Sequence, residues 1–150
     1  NKIKYMAPFV SLIHGVDSLK LLKEIDKQAA KAGRRIKCLL QIHIAQEETK
    51  FGFSPNECKE MLAQGEWREL KNIQLCGLMG MATNTDDIEQ IRSEFRLLSG
   101  LFKDLKAAFF ADSETFCELS MGMSDDYAEA IQEGSTLVRV GSKIFGERVY

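Results

Sequence analysis

Short apolar runs alternate with amphipathic segments along the whole chain. The helical spacing of apolar residues predicts helices at residues 19–32, from residue 55 onward, at 87–110 and at 125–134. The apolar runs predict five strands, at residues 9–15, 36–44, 72–82, 115–121 and 135–140. This β-α-β-α-β-α-β-α-β order is typical of a parallel sheet with helices packed on it, so we expect an α/β fold.

Capping residues support the predicted helix boundaries. Ser18 precedes the helix at 19–32 and Gly33 follows it. A hydroxyl at the start and a glycine at the end are the residues preferred at those two positions. Ser54 and Pro55 open the next helix, with proline in its first turn. These residues agree with the boundaries that the hydrophobic spacing predicts.

Composition and charge argue against several classes of function. The net charge of −2 and the pI of about 5.8 give no basic surface for nucleic acid. No window approaches the roughly 18 uninterrupted apolar residues of a membrane span, and no signal peptide is visible, so no membrane partner is expected. The four cysteines lack metal-ligand spacing, which favours reduced thiols and a cytoplasmic location. They are Cys38, Cys58, Cys76 and Cys117.

Two successive strand-to-helix turns carry glycine and serine, which parallel barrels use to bind phosphate. The first is SMGMSDD, with Ser124, and the second is VRVGS, with Gly141 and Ser142. Backbone N–H groups, a hydroxyl and a helix N-terminus can all point at one anion there. The Arg139 side chain would point toward the same anion site. Helix capping by Ser124 and an ion pair at Arg139 would explain each turn alone, but the pair at adjacent strand ends favours an anion site.

His14 and His43 lie on apolar strand runs. We interpret both as core residues with satisfied hydrogen bonds rather than as catalytic bases.

The segments LLQIHIAQEETKFGF, LCGLMGMAT, LSMGMSDD and AIQEGSTLVRVGSKIFG carry a resemblance that extends over essentially the whole chain. They resemble the pyridoxal phosphate homeostasis proteins, which bind pyridoxal 5′-phosphate (PLP) and are related to the barrel domain of alanine racemase. The resemblance implies a (β/α)8 TIM barrel of the alanine-racemase type, with PLP at the carboxyl ends of its strands. Lys50 resembles the family's loop lysine and is a candidate neighbour of the ligand.

The same resemblance assigns roles to residues in the two turns. Ser124, Gly141 and Ser142 would hold the PLP phosphate, and Arg139 would face the pyridine nitrogen. Met123, which precedes Ser124, is expected to contact the cofactor as well. No catalytic residue and no metal ligand are expected.

Five strands are too few for a closed barrel, which has eight βα units in about 250 residues. The resemblance places Asn1 near the end of the family's third unit. We therefore expect residues 1–150 to be the C-terminal part of a single PLP-binding barrel domain, a truncated chain with about five of eight units. The Schiff-base lysine would lie in the missing N-terminal part.

An open half-barrel would leave one edge of its first strand and one edge of its last strand without a neighbouring strand. We expect the missing N-terminal segment or another copy of the chain to cover them, and the chain alone not to be a stable monomer. The inner face of the sheet is expected to include Leu39, Ile42, Leu75, Leu78, Leu119 and Val138.

The resemblance is compatible with two classes of PLP protein. A carrier would hold PLP for intracellular homeostasis without substrate turnover, whereas a racemase needs two bases on opposite faces of the substrate. Alanine racemase takes its second base, a tyrosine, from an added domain for which this chain has no segment. We therefore favour the carrier over the enzyme. Without the resemblance, a barrel enzyme acting on a phosphorylated small metabolite would fit the anion site equally well.

Overall fold

Five parallel strands form one sheet, in the order β1-β2-β3-β4-β5, within the residues that the structure describes, 2–48 and 51–141 of a computed structural model. The strands are β1 (Leu12–Val16), β2 (Ile36–Gln41), β3 (Ile73–Gly80), β4 (Glu118–Met123) and β5 (Leu137–Arg139). The helices are α1 (Ile3–Met6), α2 (Leu19–Lys31), α3 (Pro55–Gln64), α4 (Ile88–Phe109) and α5 (Tyr127–Gln132), and a 3-10 helix spans Glu66–Glu69. The predicted α/β order is confirmed.

Side-chain caps begin α2 and α3 where the sequence predicts. The Ser18 hydroxyl accepts the Leu21 N–H at 3.0 Å. At α3, the Glu57 N–H donates to the Ser54 hydroxyl at 3.1 Å, and the Ser54 N–H donates to the Glu57 carboxylate at 2.8 Å. This reciprocal capping box satisfies two N–H groups that the helix itself leaves unpaired.

The first strand begins later than the sequence predicts. The N–H groups of Phe9 and Val10 both donate to the Met6 carbonyl at 2.9 Å, so the turn that follows α1 continues through these residues. Phe9 is 85% exposed. Strand β1 therefore starts at Leu12 rather than at residue 9.

Both faces of the sheet carry buried apolar side chains. The larger cluster packs one face against the helices, and its fully buried members include Leu22, Ile25, Leu40, Leu78, Phe95 and Leu98. A smaller cluster lies on the opposite, inner face and contains Leu39, Cys76 and Met79, with Leu12, Met81 and Leu137 packed against it. Over residues 2–48 and 51–141, the helices thus cover the outer face of the half-barrel.

The prediction of inner-face residues is only partly confirmed. Leu39 lies on the inner face as expected. The prediction is wrong for four residues that belong to the helix-covered cluster: Ile42, Leu75, Leu78 and Leu119. It is also wrong for Val138, which alternates along β5 with the inner-face residue Leu137 and lies beside Gly122, where α5 packs. Parallel strands are apolar on both faces, so hydrophobicity alone does not show which alternate positions point inward.

Gly77 brings β3 and β4 closer together than any side chain at this position would allow. Its φ is +151°, and a Cβ built on it would lie 1.7 Å from the Glu118 carbonyl oxygen. The register between β2 and β3 shifts by one residue just before Gly77. A bulge and a close approach therefore coincide at this glycine.

No helix in the described part of the chain is long and apolar enough to cross a lipid bilayer.

Candidate functional site

The turn between β4 and α5 is closed by Asp126. The Asp126 carboxylate accepts the Met123 N–H at 2.7 Å, and the Asp126 N–H donates to the Met123 carbonyl at 3.2 Å. Burial raises the pKa of Asp126, while the Met123 N–H and the Arg139 cation oppose that shift. The N-cap of α5 is Asp126 rather than Ser124. Ser124 is half-buried in the turn that precedes α5.

Gly122 lets this turn fold back over the end of β4. Its φ is +105°, and a Cβ built on it would lie 2.7 Å from the Ala130 Cβ and 3.2 Å from Val138. Helix α5 can therefore pack directly on the strand end. This packing sets the position of Met123 and Ser124 at the carboxyl edge of the sheet.

Arg139 ends β5 beside this turn, because the β4–β5 register pairs it with Met123. Its Nε and Nη2 atoms are buried and have no hydrogen-bond partner among the described residues. Burial lowers the pKa of Arg139, and the Asp126 carboxylate partly opposes the shift. Within the described ranges no ion pair joins the two side chains. The guanidinium thus presents two unused donors at the carboxyl end of the sheet.

Gly141 lies two residues beyond Arg139. It is exposed, and a Cβ built on it would meet nothing within 4 Å. Its backbone therefore faces open space. Ser142 and Lys50, two other candidates, lie outside the described residues.

Met123 and Arg139 come together at adjacent strand ends, as the two-turn pattern requires. Neighbouring parallel strands lie about 4.8 Å apart, so Met123 and Arg139 are within reach of one small ligand. Met123 is 46% exposed and can contact such a ligand. In the part of the chain that the structure describes, no group of three or more metal-ligating side chains could hold a metal ion. Cofactor binding by Ser124, Arg139, Gly141, Ser142 and Met123 stays a prediction.

His14 lies near the candidate site, a position that sequence analysis did not predict. It is half-buried, and its Nδ1 lies 3.3 Å from the Ser120 hydroxyl. Burial lowers the pKa of His14, the Arg139 cation lowers it further, and Glu118 opposes both. The hydrogen bond agrees with a satisfied histidine, but the polar setting near Arg139 does not agree with an apolar core position. Predicting the contact of His14 with Ser120 from the sequence would have required the register of all strands from β1 to β4.

Comparison with protein families defines the class to which this fold and site belong. Residues 3–149 match the model of the alanine racemase N-terminal domain. The chain belongs to this family, and the predicted resemblance is confirmed.

Relatives narrow the class to one group. The chain is 38% identical to the pyridoxal phosphate homeostasis protein of Aquifex aeolicus, over all of this chain and 64% of that protein. It is 37% identical to the protein of the same name from Pasteurella multocida, over all of this chain and 63% of that protein. The chain therefore spans a little under two thirds of the length of these relatives.

Solved structures support the fold. PipY of Synechococcus elongatus without PLP matches with a TM-score of 0.88 and 31% identity, over 97% of this chain and 66% of PipY. PipY with PLP bound matches with a TM-score of 0.84 and 30% identity, over the same shares of the two chains. Alanine racemase from Clostridium difficile shares only the fold, at 15% identity and a TM-score of 0.69 over 99% of this chain and 37% of that one. The prediction of a partial barrel of the alanine-racemase type is confirmed.

Proposed function

We propose that this chain carries the phosphate- and ring-facing part of a PLP site and serves intracellular PLP homeostasis. The observation that carries the proposal is the pair of buried Arg139 donors beside the β4–α5 turn, which have no hydrogen-bond partner among the described residues. The names of the homeostasis-protein relatives and the PLP-bound PipY structure support the same ligand.

The residues present fit the cofactor. PLP is an anionic phosphate joined to a pyridine ring, and it supplies a reactive aldehyde and an electron sink when bound. Ser124, Gly141 and Ser142 would hold the phosphate, where a hydroxyl and an unobstructed backbone favour an anion. Arg139 would direct its free donors at the pyridine nitrogen, and Met123 would contact the cofactor from the edge of the site.

The charge of Arg139 favours a carrier over an enzyme. A guanidinium beside the pyridine nitrogen disfavours protonation of that nitrogen, since two like charges in a buried site repel. An unprotonated ring withdraws electrons poorly. The site would therefore hold PLP without promoting turnover of amino acids.

By family resemblance, the lysine that attaches PLP covalently belongs to a part of the barrel outside this chain. The inner face of the sheet would then be completed by that part or by a second copy of the chain. In the described residues, β1 and β5 each pair with only one strand, which leaves an edge for such a partner.

The cysteines are consistent with a cytoplasmic protein. Cys38, Cys58 and Cys76 are buried, Cys117 is exposed, and all four are free. Burial raises the pKa of Cys38 and of Cys58 to about 12, so both behave as inert apolar groups. A reducing compartment suits this set of thiols.

Calorimetric titration of the chain with PLP tests the proposal. PLP should bind with measurable affinity, and pyridoxal, which lacks the phosphate, should bind much more weakly. Arg139→Gln removes a charge-assisted hydrogen bond worth about 1.5–3 kcal/mol, which corresponds to roughly a 10- to 150-fold loss of affinity. Arg35→Gln is the matched control, because Arg35 is exposed and bonds Ile73 at the opposite end of the sheet.

Three outcomes would contradict parts of the proposal. Equal affinity for PLP and pyridoxal would contradict the proposed phosphate-binding site. Racemisation of an amino acid by the PLP-loaded chain, measured by chiral chromatography, would contradict a carrier without turnover. Tighter binding of an unrelated phosphorylated metabolite than of PLP would favour the alternative of a barrel enzyme.

A further inference from the structure

His14 and Ser120 join two strands that are not neighbours in the sheet. The His14 Nδ1 lies 3.3 Å from the Ser120 Oγ, although β2 and β3 separate their strands. Adjacent strands lie about 4.8 Å apart, so three steps along a flat sheet would measure about 14 Å. The contact therefore requires the sheet to curve, and the hydrogen bond crosses the concave inner face of the half-barrel.

This hydrogen bond lies one layer below Arg139. The β4–β5 register pairs Ser120 with Leu137, and Arg139 is two residues farther along β5. Two residues of a strand rise about 6.6 Å, which is the spacing between successive side chains on one face. His14 and Ser120 thus form the floor of the candidate ligand site.

The hydrogen bond of the floor fits a neutral imidazole whose unprotonated Nδ1 accepts from Ser120. Ser120 is completely buried, and His14 is the hydrogen-bond partner of its hydroxyl in the part of the chain that the structure describes. A buried hydroxyl needs an acceptor, and an unprotonated Nδ1 supplies one. A protonated His14 would present an N–H there instead, and the Ser120 hydrogen would lose its acceptor.

The charges around His14 favour the same state. Burial and the Arg139 cation on β5 lower its pKa, while Glu118 on β4 opposes them. Glu118 also lines a cavity of about 360 Å³ with Glu114, with Lys37 from β2 and with the Cys76 thiol from β3, but His14 does not line that cavity. A second cation beside Arg139 would add repulsion inside a closed site.

We propose that neutral His14 is a positioning residue of the ligand site, which ties β1 to β4 through Ser120 and holds the floor on which Arg139 faces bound PLP. The proposal rests on the proposed PLP-binding function. Protonation of His14 removes the acceptor for Ser120 and adds a cation below Arg139. The floor then loosens, and the affinity for PLP falls.

The pH profile of PLP affinity tests this role with two variants. In His14→Asn, a side-chain amide oxygen can still accept the Ser120 hydroxyl, but it does not titrate. His14→Leu removes the acceptor and should weaken PLP binding about tenfold. The affinity ratio of wild type to His14→Asn cancels the ionisation of PLP itself. It should be constant above the pH at which His14 titrates and should fall about tenfold below it.

A ligand-free measurement follows His14 directly. The chain has two histidines, so NMR can assign the His14 imidazole by its absence from His14→Asn. Its titration midpoint should lie below the ordinary range of histidine, and Ser120→Ala and Arg139→Gln should each move it upward. Ser99→Ala and Arg35→Gln, which change residues on α4 and before β2, should leave it in place.

The possible failures are distinguishable. If the wild type binds PLP but the ratio stays constant and His14→Leu binds equally well, His14 has no positioning role and only this inference falls. If neither Ser120→Ala nor Arg139→Gln moves the titration midpoint of His14, then His14 is not coupled to Ser120 or to Arg139, and the inference falls too. If the wild type binds no PLP at all, the proposed function fails and this inference fails with it.

Discussion

Replacing Gly77 with alanine should cost a large part of the stability of the chain. The added Cβ would lie 1.7 Å from the Glu118 carbonyl oxygen, whereas ordinary C···O contacts begin at about 3.3 Å. Strands β3 and β4 would have to separate by more than about 1.5 Å at this point, estimated from that contact distance. The φ of +151° is also unfavourable for an L side chain.

The two penalties can be estimated separately. A residue held in a sparsely populated backbone region costs about 1–3 kcal/mol. Forcing extra atoms into a packed position costs about another 1–3 kcal/mol. Together they amount to roughly 2–6 kcal/mol, a large share of the 5–15 kcal/mol typical of a whole domain.

Urea unfolding at a fixed chain concentration measures the effect. Gly100→Ala is the matched control, because Gly100 lies exposed in α4 and a Cβ there would meet nothing within 4 Å. That variant should be more stable by about 0.5–1 kcal/mol, since alanine favours the helix. A Gly77→Ala variant as stable as the wild type would refute the close approach of β3 and β4.

Three further predictions concern stability and assembly. Phe95→Ala should destabilise the chain by about 3–5 kcal/mol in the same assay, because Phe95 is fully buried between α4 and the sheet; a loss below 1 kcal/mol would contradict that packing. Ser54→Ala should cost about 1 kcal/mol by breaking the capping box, seen as a lower urea midpoint; an unchanged midpoint would show that the cap is dispensable. Sedimentation velocity should show self-association, because β1 and β5 each pair with one strand in the described residues; a compact monomer that unfolds cooperatively would contradict it.

Local signals in the sequence were sufficient to predict the order of the elements. The caps at Ser18 and Ser54 act within a few residues, so the pattern alone locates the starts of α2 and α3. The strand order likewise makes the ends of β4 and β5 adjacent, whereas the anion site at the two turns stays a prediction. These features depend on neighbours along the chain.

Features that depend on the curvature of the sheet could not be predicted in the same way. The contact of His14 with Ser120 joins residues 106 positions apart and exists only because the sheet is concave. The inward or outward direction of Leu75 and Leu78 was also misassigned, because a one-residue bulge precedes Gly77 and both faces of the strand are apolar.

A crystal of the chain soaked with PLP tests the central claim most directly. Electron density for the phosphate should appear within about 2.7–3.2 Å of the Ser124 hydroxyl and the Gly141 N–H, with the pyridine nitrogen facing Arg139. Density at the opposite end of the sheet, in the cavity that Arg35, Arg68 and Lys71 help to line, would contradict this site. An empty carboxyl edge at a saturating concentration of PLP would contradict it equally.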